Sequence, residues 1–303
     1  MPGHDAREEM MSADEPPLGA RAPSGGSAPR AAGERGGHIP WPAETIWQQV
    51  MALGLPSLAS FSVEILPEID STNTELMHRA RAGRTEPTLL VAETQTAGRG
   101  RMGRGWLSSP GDSLTFSFGI SLSPGSWEGL SLAVGVSVAE SLQGDIQLKW
   151  PNDLWLQERK LAGILIETAS APQPARAQER FAVIGIGINI AAHQFNQATG
   201  PDLRQAPAWL QEFQPASSPQ TALEQLFARL LNDILLFERE GFAAFFSRFA
   251  ARDALQGREV TLSDGQQGRA KGVDGSGALL VHTSQGRQRV ASQEVSVRPS
   301  NVL

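Results

Sequence analysis

Apolar and polar positions recur along this chain with two periods, and those periods divide it into elements. Behind Trp41-Pro42, Glu44–Leu53 carries apolar residues at helical spacing and predicts a short amphipathic helix. Phe61-Ser-Val-Glu-Ile-Leu66 alternates with period two and predicts a strand. Ser71 and Thr72 precede Glu75-Leu-Met-His-Arg-Ala, where Thr72-x-x-Glu75 fits a capping box opening a second helix. Strands are predicted at Thr88–Ala92 and Ser113–Ile120, followed by an apolar helix over Gly129–Leu142. Lys149–Trp155 and Lys160–Glu167 predict two strands joined by the charged turn Gln157-Glu-Arg-Lys160, and Phe181–Ile190 predicts another. Ser218-Pro219 opens a long helical pattern through Leu223, Leu226, Phe227, Leu230, Leu231 and Ile234, with proline at its first turn. Phe242–Ala250 predicts a further helix. From Arg258 onward the period shortens. Glu259–Leu262, Ala278–His282, Arg289–Ala291 and Glu294–Val297 read as short strands with glycine turns, a small SH3-like barrel.

Three regions follow. Residues 1–40 are rich in Gly, Pro, Ala, Ser and Arg and poor in large apolar side chains, which predicts a disordered tail. Residues 41–254 form the main domain and 255–303 the barrel. A chain of 303 residues suffices for one good core and a small second one. Lys+Arg number 26 against Asp+Glu 32, and a net charge of −6 gives no field that recruits nucleic acid. With no cysteine, disulfides, thiolate metal sites and a cysteine nucleophile are all excluded. His78, His193 and His282 lack metal-ligand spacing, and no metal site is expected. Neither an apolar leader nor a membrane-length run is present, so the expected setting is the cytoplasm, without a membrane partner.

The densest chemistry lies in Gln95–Trp106, QTAGRGRMGRGW. Its glycines let backbone come close to a ligand, and Arg99, Arg101 and Arg104 offer rigid forks of donors to phosphate or carboxylate. Gly98-x-Gly100-x-x-Gly103 spells a dinucleotide fingerprint, yet turn formers and an alternating strand follow it where that site needs a helix. Arg104-Gly105 stands where a P-loop needs Lys-Ser/Thr, so that reading fails too. Downstream, Gly163, Gly185 and Gly187 interrupt apolar strands, as a bulge, a tight crossing or a wall for a ligand. Lys149 and Lys160 bracket Trp150 and Trp155, and Asn152-Asp153 follows a proline in an expected turn.

Five ordered blocks between Val63 and Ile190 resemble the biotin protein ligase family: Asp70-Ser-Thr-Asn, the glycine–arginine loop, Lys149-Trp-Pro-Asn-Asp-Leu, Lys160-Leu-Ala-Gly-Ile-Leu-Ile-Glu and Gly185-Ile-Gly-Ile-Asn. The resemblance implies an α+β fold: a mixed, largely antiparallel sheet with helices on one side, like a class II aminoacyl-tRNA-synthetase catalytic domain, followed by the SH3-like barrel. It also implies an ATP-dependent ligase that makes biotinyl-5'-adenylate and passes the acyl group to a lysine of a biotin carboxyl carrier protein. Biotin and ATP are the implied substrates, with Mg²⁺ carried on ATP. Lys160, Arg99 and Arg101 are the implied catalytic cations. Ser71, Thr72, Asn73 and Gln95 correspond to contacts of the biotin head group, Arg99-Gly100-Arg101 folds over its carboxylate, and Gly163, Gly185 and Gly187 wall its chain. Arg104, Trp106, Asn152, Asp153, Asn189 and Arg298 are assigned to the nucleotide, Asp153 also lying near the incoming lysine. No winged helix is expected before Ser71, hence no DNA binding, and the expected assembly is a monomer or weak homodimer. The alternatives on this fold are a lipoate or octanoate ligase or transferase and a non-catalytic biotin-responsive regulator.

Overall fold

A seven-stranded sheet organises the computed structural model, which describes residues 40–142, 144–170, 178–192 and 206–291 and the backbone of 298–299. The expected tail apart from Pro40, His193, the predicted strand Glu294–Val297 and the side chain of Arg298 lie outside the described residues. The sheet order is β1-β2-β3-β7-β6-β5-β4, from β1 (Ser62–Ile69), β2 (Thr88–Gln95), β3 (Ser113–Leu122), β4 (Gln147–Lys149), β5 (Asp153–Leu156), β6 (Arg159–Ser170) and β7 (Arg180–Asn189). Helix α2 (Thr72–Arg81) carries the chain from β1 to β2, so these two pair in parallel. Every other pairing in the sheet is antiparallel, as in the expected mixed α+β fold.

Both faces of the central strands are covered: β7 reads as a near-continuous apolar run, while β3 alternates apolar residues with small hydroxyl residues that are buried too. Leu89, Val91, Phe116, Phe118, Ile184 and Ile186 share one core with α1 (Ala43–Met51), α3 (Leu130–Leu142) and α4 (Pro219–Glu240). There Phe118 meets Phe227 edge-on at 5.4 Å. The opposite face carries Leu90, Phe181 and Val183 beneath Leu76, Met77 and Ala80 of α2. The helical layer thus lies on one side as expected, with α2 the exception. Because α2 is short, it leaves the rest of that second face to the candidate site.

Several expected elements shift. Ser71, extended at φ −161°, is the true N-cap of α2, its Oγ accepting from the Thr74 N–H at 3.4 Å. Glu75 forms no capping box; it runs along the helix to Arg79 at 2.7 Å. Lys149–Trp155 is not one strand, because Trp150-Pro-Asn152 forms the turn between β4 and β5, and proline has no N–H for a ladder. The last predicted helix begins as a 3₁₀ segment, Gly241–Phe245, before α5 (Phe246–Ala250).

The second sheet is antiparallel in the order β11-β10-β9-β8-β12, from β8 (Glu259–Thr261), β9 (Gln267–Val273), β10 (Leu279–Thr283), β11 (Gly286–Val290) and β12 (Arg298–Pro299). It contains β9, a strand absent from those the period-two pattern predicts. The segment leading from α5 to this sheet is tied to β4 at Leu148, whose N–H donates to Arg252 O at 2.8 Å and whose carbonyl accepts from Ala254 at 3.0 Å. Arg289 of β11 reaches Glu128 ahead of α3 and Asp274 in the turn between β9 and β10. The buried Trp150 donates its Nε1–H to Gly277 O at 3.0 Å.

Candidate active site

The glycine–arginine segment folds into a hairpin. Trp106 N–H donates to Gly98 O at 2.8 Å and Gly100 N–H to Arg104 O at 2.7 Å, with Arg99 bridged to Gly105. Its tip, Arg101–Gly103, turns through left-handed Met102 (φ 55°) and Gly103. At Gly98 the two arms cross so closely that a Cβ would stand 2.4 Å from Trp106 O. No helix opens from this loop, so both nucleotide fingerprints spelled by its letters are absent from the fold.

The hairpin lays Trp106 onto two glycines paired across β6 and β7, Gly163 and Gly187. A Cβ on Gly187 would lie 2.3 Å from the indole, and one on Gly163 would lie 3.3 Å from it. Trp106 Nε1 is shielded and has no hydrogen-bond partner among the described residues. Beside it Lys160 Nζ sits 5.7 Å from the ring centre and 2.7 Å from Asp153 Oδ1. Arg101 belongs to the same cluster. Burial pushes its guanidinium below the ordinary arginine range, the Asp153 carboxylate pulls it back up, and the Arg104 charge pushes it down. Two cations therefore face one carboxylate at the edge of an apolar floor, with exposed Arg104 at the rim. A second anion entering here meets charge already in place, with little reorganisation.

The residues expected at the head group form a hydrogen-bonded row on the same face. Gln95 Oε1 accepts from the Thr72 N–H at 2.8 Å, Thr72 Oγ1 lies 2.7 Å from Ser117 Oγ, and Ser117 donates to Asn73 Oδ1 at 2.6 Å. Asn73 Nδ2 donates to Leu165 O at 3.3 Å and Glu167 Oε2 at 3.1 Å. Glu167 in turn holds Arg99 at 3.1 Å. Gly185 makes room for Asn73: a Cβ there would stand 2.0 Å from Asn73 Oδ1.

Of the expected site residues, the structure groups Arg99, Gly100, Arg101, Trp106, Asp153, Lys160, Gly163 and Gly187 around the hairpin, and Ser71, Thr72, Asn73, Gln95 and Gly185 around the start of α2. Asn152 and Asn189 stand behind this layer. Asn152 donates to Ile164 O at 2.9 Å, and Asn189 to Lys160 O at 3.2 Å and Ala208 O at 3.0 Å, bracing β6. The backbone of Arg298 pairs with Thr261. Ser117 and Glu167 were not among the residues picked out by sequence. The signal was present in both: a lone hydroxyl between Phe116 and Phe118, and a carboxylate closing an apolar strand. His78 and His282 are exposed and remote from these groups.

Such a site suits a molecule with an apolar tail on glycine, a small polar head beside Thr72, and an anionic end among cations. Residues 65–189 match the biotin/lipoate A/B protein ligase family, and residues 256–298 match the biotin protein ligase C-terminal domain. The bifunctional ligase/repressor BirA of Escherichia coli is 38% identical over 236 residues, 75% of this chain and 71% of that one. The biotin–[acetyl-CoA-carboxylase] ligase of Mycobacterium tuberculosis is 31% identical over 245 residues, 76% of this chain and 86% of that one. Among solved structures, a biotin protein ligase from Aquifex aeolicus in complex with biotin and ATP aligns with a TM-score of 0.65 at 29% identity, covering 78% of this chain and 99% of that one. The chain belongs to the biotin protein ligase family.

Proposed function

We propose that this protein joins biotin to a lysine of a biotin carboxyl carrier protein through biotinyl-5'-adenylate. Lys160 on Asp153 beside the Gly163–Gly187 floor, with Arg101 interacting with the same carboxylate, carries the reading. A carboxylate does not acylate an amine in water, because its oxygen leaves poorly. In the first step a biotin carboxylate oxygen attacks the α-phosphorus of ATP, which arrives as its magnesium complex, and the bond to pyrophosphate breaks. Two anions must meet. Lys160 and Arg101 offset their repulsion, and Arg99 reinforces them from the hairpin. In the second step the lysine amine attacks the acyl carbon, AMP leaves with the former C–O electron pair, and the amine releases a proton. Asp153 stands where that amine arrives, and Trp106 and Arg104 border the nucleotide. Ser71, Thr72 and Gln95 supply the short polar groups that a buried urea requires.

The test is pyrophosphate release with biotin and with lipoate in parallel, followed by mass analysis of a carrier domain. Biotin-dependent release and a single biotinyl addition are expected; release with lipoate alone overturns the reading. Lys160→Ala is expected to lower the rate of pyrophosphate release by ~100-fold or more, since it removes a preorganised donor.

A further inference from the structure

We infer that Glu167 fixes the donor–acceptor polarity of the pocket beside Thr72, and through it the preference for a ring that carries urea N–H groups. The inference rests on the biotin-binding reading above and names a residue which that reading does not use.

The argument runs along the row of hydrogen bonds. Leu165 O and the Glu167 carboxylate only accept, so the Asn73 atom facing both, at 3.3 and 3.1 Å, is the amide nitrogen. The Asn73 amide oxygen then faces Ser117 Oγ at 2.6 Å, and Ser117 must donate. A hydroxyl has one proton. Thr72 Oγ1, 2.7 Å from Ser117 Oγ, therefore donates its own proton to Ser117. Gln95 Oε1 lies 3.1 Å from Thr72 Oγ1, yet the Thr72 main-chain N–H at 2.8 Å is what holds it. Two oxygens with lone pairs thus stand side by side, Thr72 Oγ1 and Gln95 Oε1. An N–H of a ligand placed between them satisfies both. Gln95 Nε2 is turned the other way, toward Gly98, where it offers a donor to the urea oxygen.

Glu167 is the anchor because it accepts without being able to donate. Arg99 Nη2 holds Oε1 at 3.1 Å, and Oε2 accepts from Asn73 at 3.1 Å and from Arg99 Nη1 at 3.3 Å, so both of its bonds need an acceptor. An amide in its place can present a donor to Asn73. Asn73 is then held in its orientation by Leu165 O alone at 3.3 Å, and the turned-over state, in which Ser117 donates toward Thr72 and Thr72 toward Gln95, gains population. That reversal fills the lone pairs that await the ligand's N–H. Asn73 and Ser117 are positioning residues in this scheme, and so is Glu167. A site built for a particular N–H rejects an analogue without it far more strongly than an apolar pocket rejects a change of shape.

Calorimetry on the full chain tests the inference, using biotin, desthiobiotin and a biotin methylated on a urea nitrogen, with wild type, Glu167→Gln, Glu167→Asp and Ser117→Ala. Wild type is expected to prefer biotin and desthiobiotin, which keep both urea N–H groups, over the methylated analogue, which keeps one. In Glu167→Gln and Ser117→Ala that preference is expected to shrink about tenfold, because the two ligands with both N–H groups weaken while the analogue does not. Glu167→Asp retains a pure acceptor and is expected to keep more of the preference than Glu167→Gln. Equal weakening of all three ligands in Glu167→Gln indicates a merely structural residue and overturns the inference, as does an unchanged preference. Should Ser117→Ala fail to fold, the partly exposed Glu167 variants decide alone. A wild type that does not bind biotin overturns the functional reading instead.

Discussion

Single atoms decide much of this site, and the glycine floor shows it most directly. Gly187→Ala places a Cβ 2.3 Å from the Trp106 indole, so the ring must leave the floor or the strand must move. The expected outcome is a KM for biotin raised at least about tenfold with little change in unfolding temperature, since the contact is with a loop side chain and not the core. Arg101→Gly removes a half-buried guanidinium from beside Asp153 and adds freedom to a hairpin already rich in glycine. Biotin still enters, but adenylate is expected to escape and acylate bystander lysines, read by mass on an unrelated protein added to the reaction. Normal retention of adenylate would remove Arg101 from the closing role. At this scale, letters that combine rare chemistry were legible: arginines among glycines, and a lysine at the head of an apolar strand. Ser117 and Glu167 were not, because each is one ordinary polar residue whose meaning comes from partners 44 and 94 positions away for Asn73 alone.

Elements carry the site by what they leave open. Helix α2 covers only part of its face of the sheet, and the hairpin closes over what remains. The opposite face is locked by a charged knot in which Arg248 of α5 meets Asp233 of α4 through Nη1 and Nη2 and holds Glu140 of α3 through Nε and Nη2. Asp233 is buried, and its hydrogen bonds keep the Arg248 guanidinium above its ordinary range. Arg248→Met strands that carboxylate, and a loss of roughly 2–3 kcal/mol in urea unfolding is expected, below the figure for a fully buried pair. Adding Asp233→Asn should recover part of it; a double variant no better than the single would show that the charge is not the cause. Helices α1 and α4 were visible in their helical spacing, and α3 in its apolar run. Strand β9 was not, because Gln267-Gly-Arg-Ala-Lys-Gly-Val alternates between buried and exposed using glycine and alanine, which look like turn formers in a linear reading.

Over the whole molecule, the two sheets are tied at a seam where Trp150, Gly277, Glu128 and Arg289 meet. Asp274 anchors the barrel's side of it. Burial works against its charge, but hydrogen bonds from Ser276, Arg289 and the Ala278 N–H outweigh that and hold its carboxyl down at about 2. A depressed carboxyl contributes stability above its unfolded value and loses it as pH falls through the folded one. Acidification from pH 4 toward pH 2 should therefore weaken the seam, and Asp274→Asn should flatten that part of a stability–pH curve while lowering stability at neutral pH. An equally steep curve in the variant would place the acid sensitivity elsewhere. The seam brings the Lys149-Trp-Pro-Asn-Asp turn against a second sheet, a joint that sequence periodicity could not announce, since its contacts span 127 positions at Trp150. The floor beneath Trp106 has a consequence of a different kind. With seven tryptophans and no tyrosine, the protein's ultraviolet emission comes from indoles alone. Trp106 keeps its ring N–H shielded from water against glycine, so whatever slides beneath or lifts that ring should change its colour of emission. The enzyme carries an optical gauge of its own loop, and replacing Trp106 with phenylalanine shows which part of the signal belongs to it.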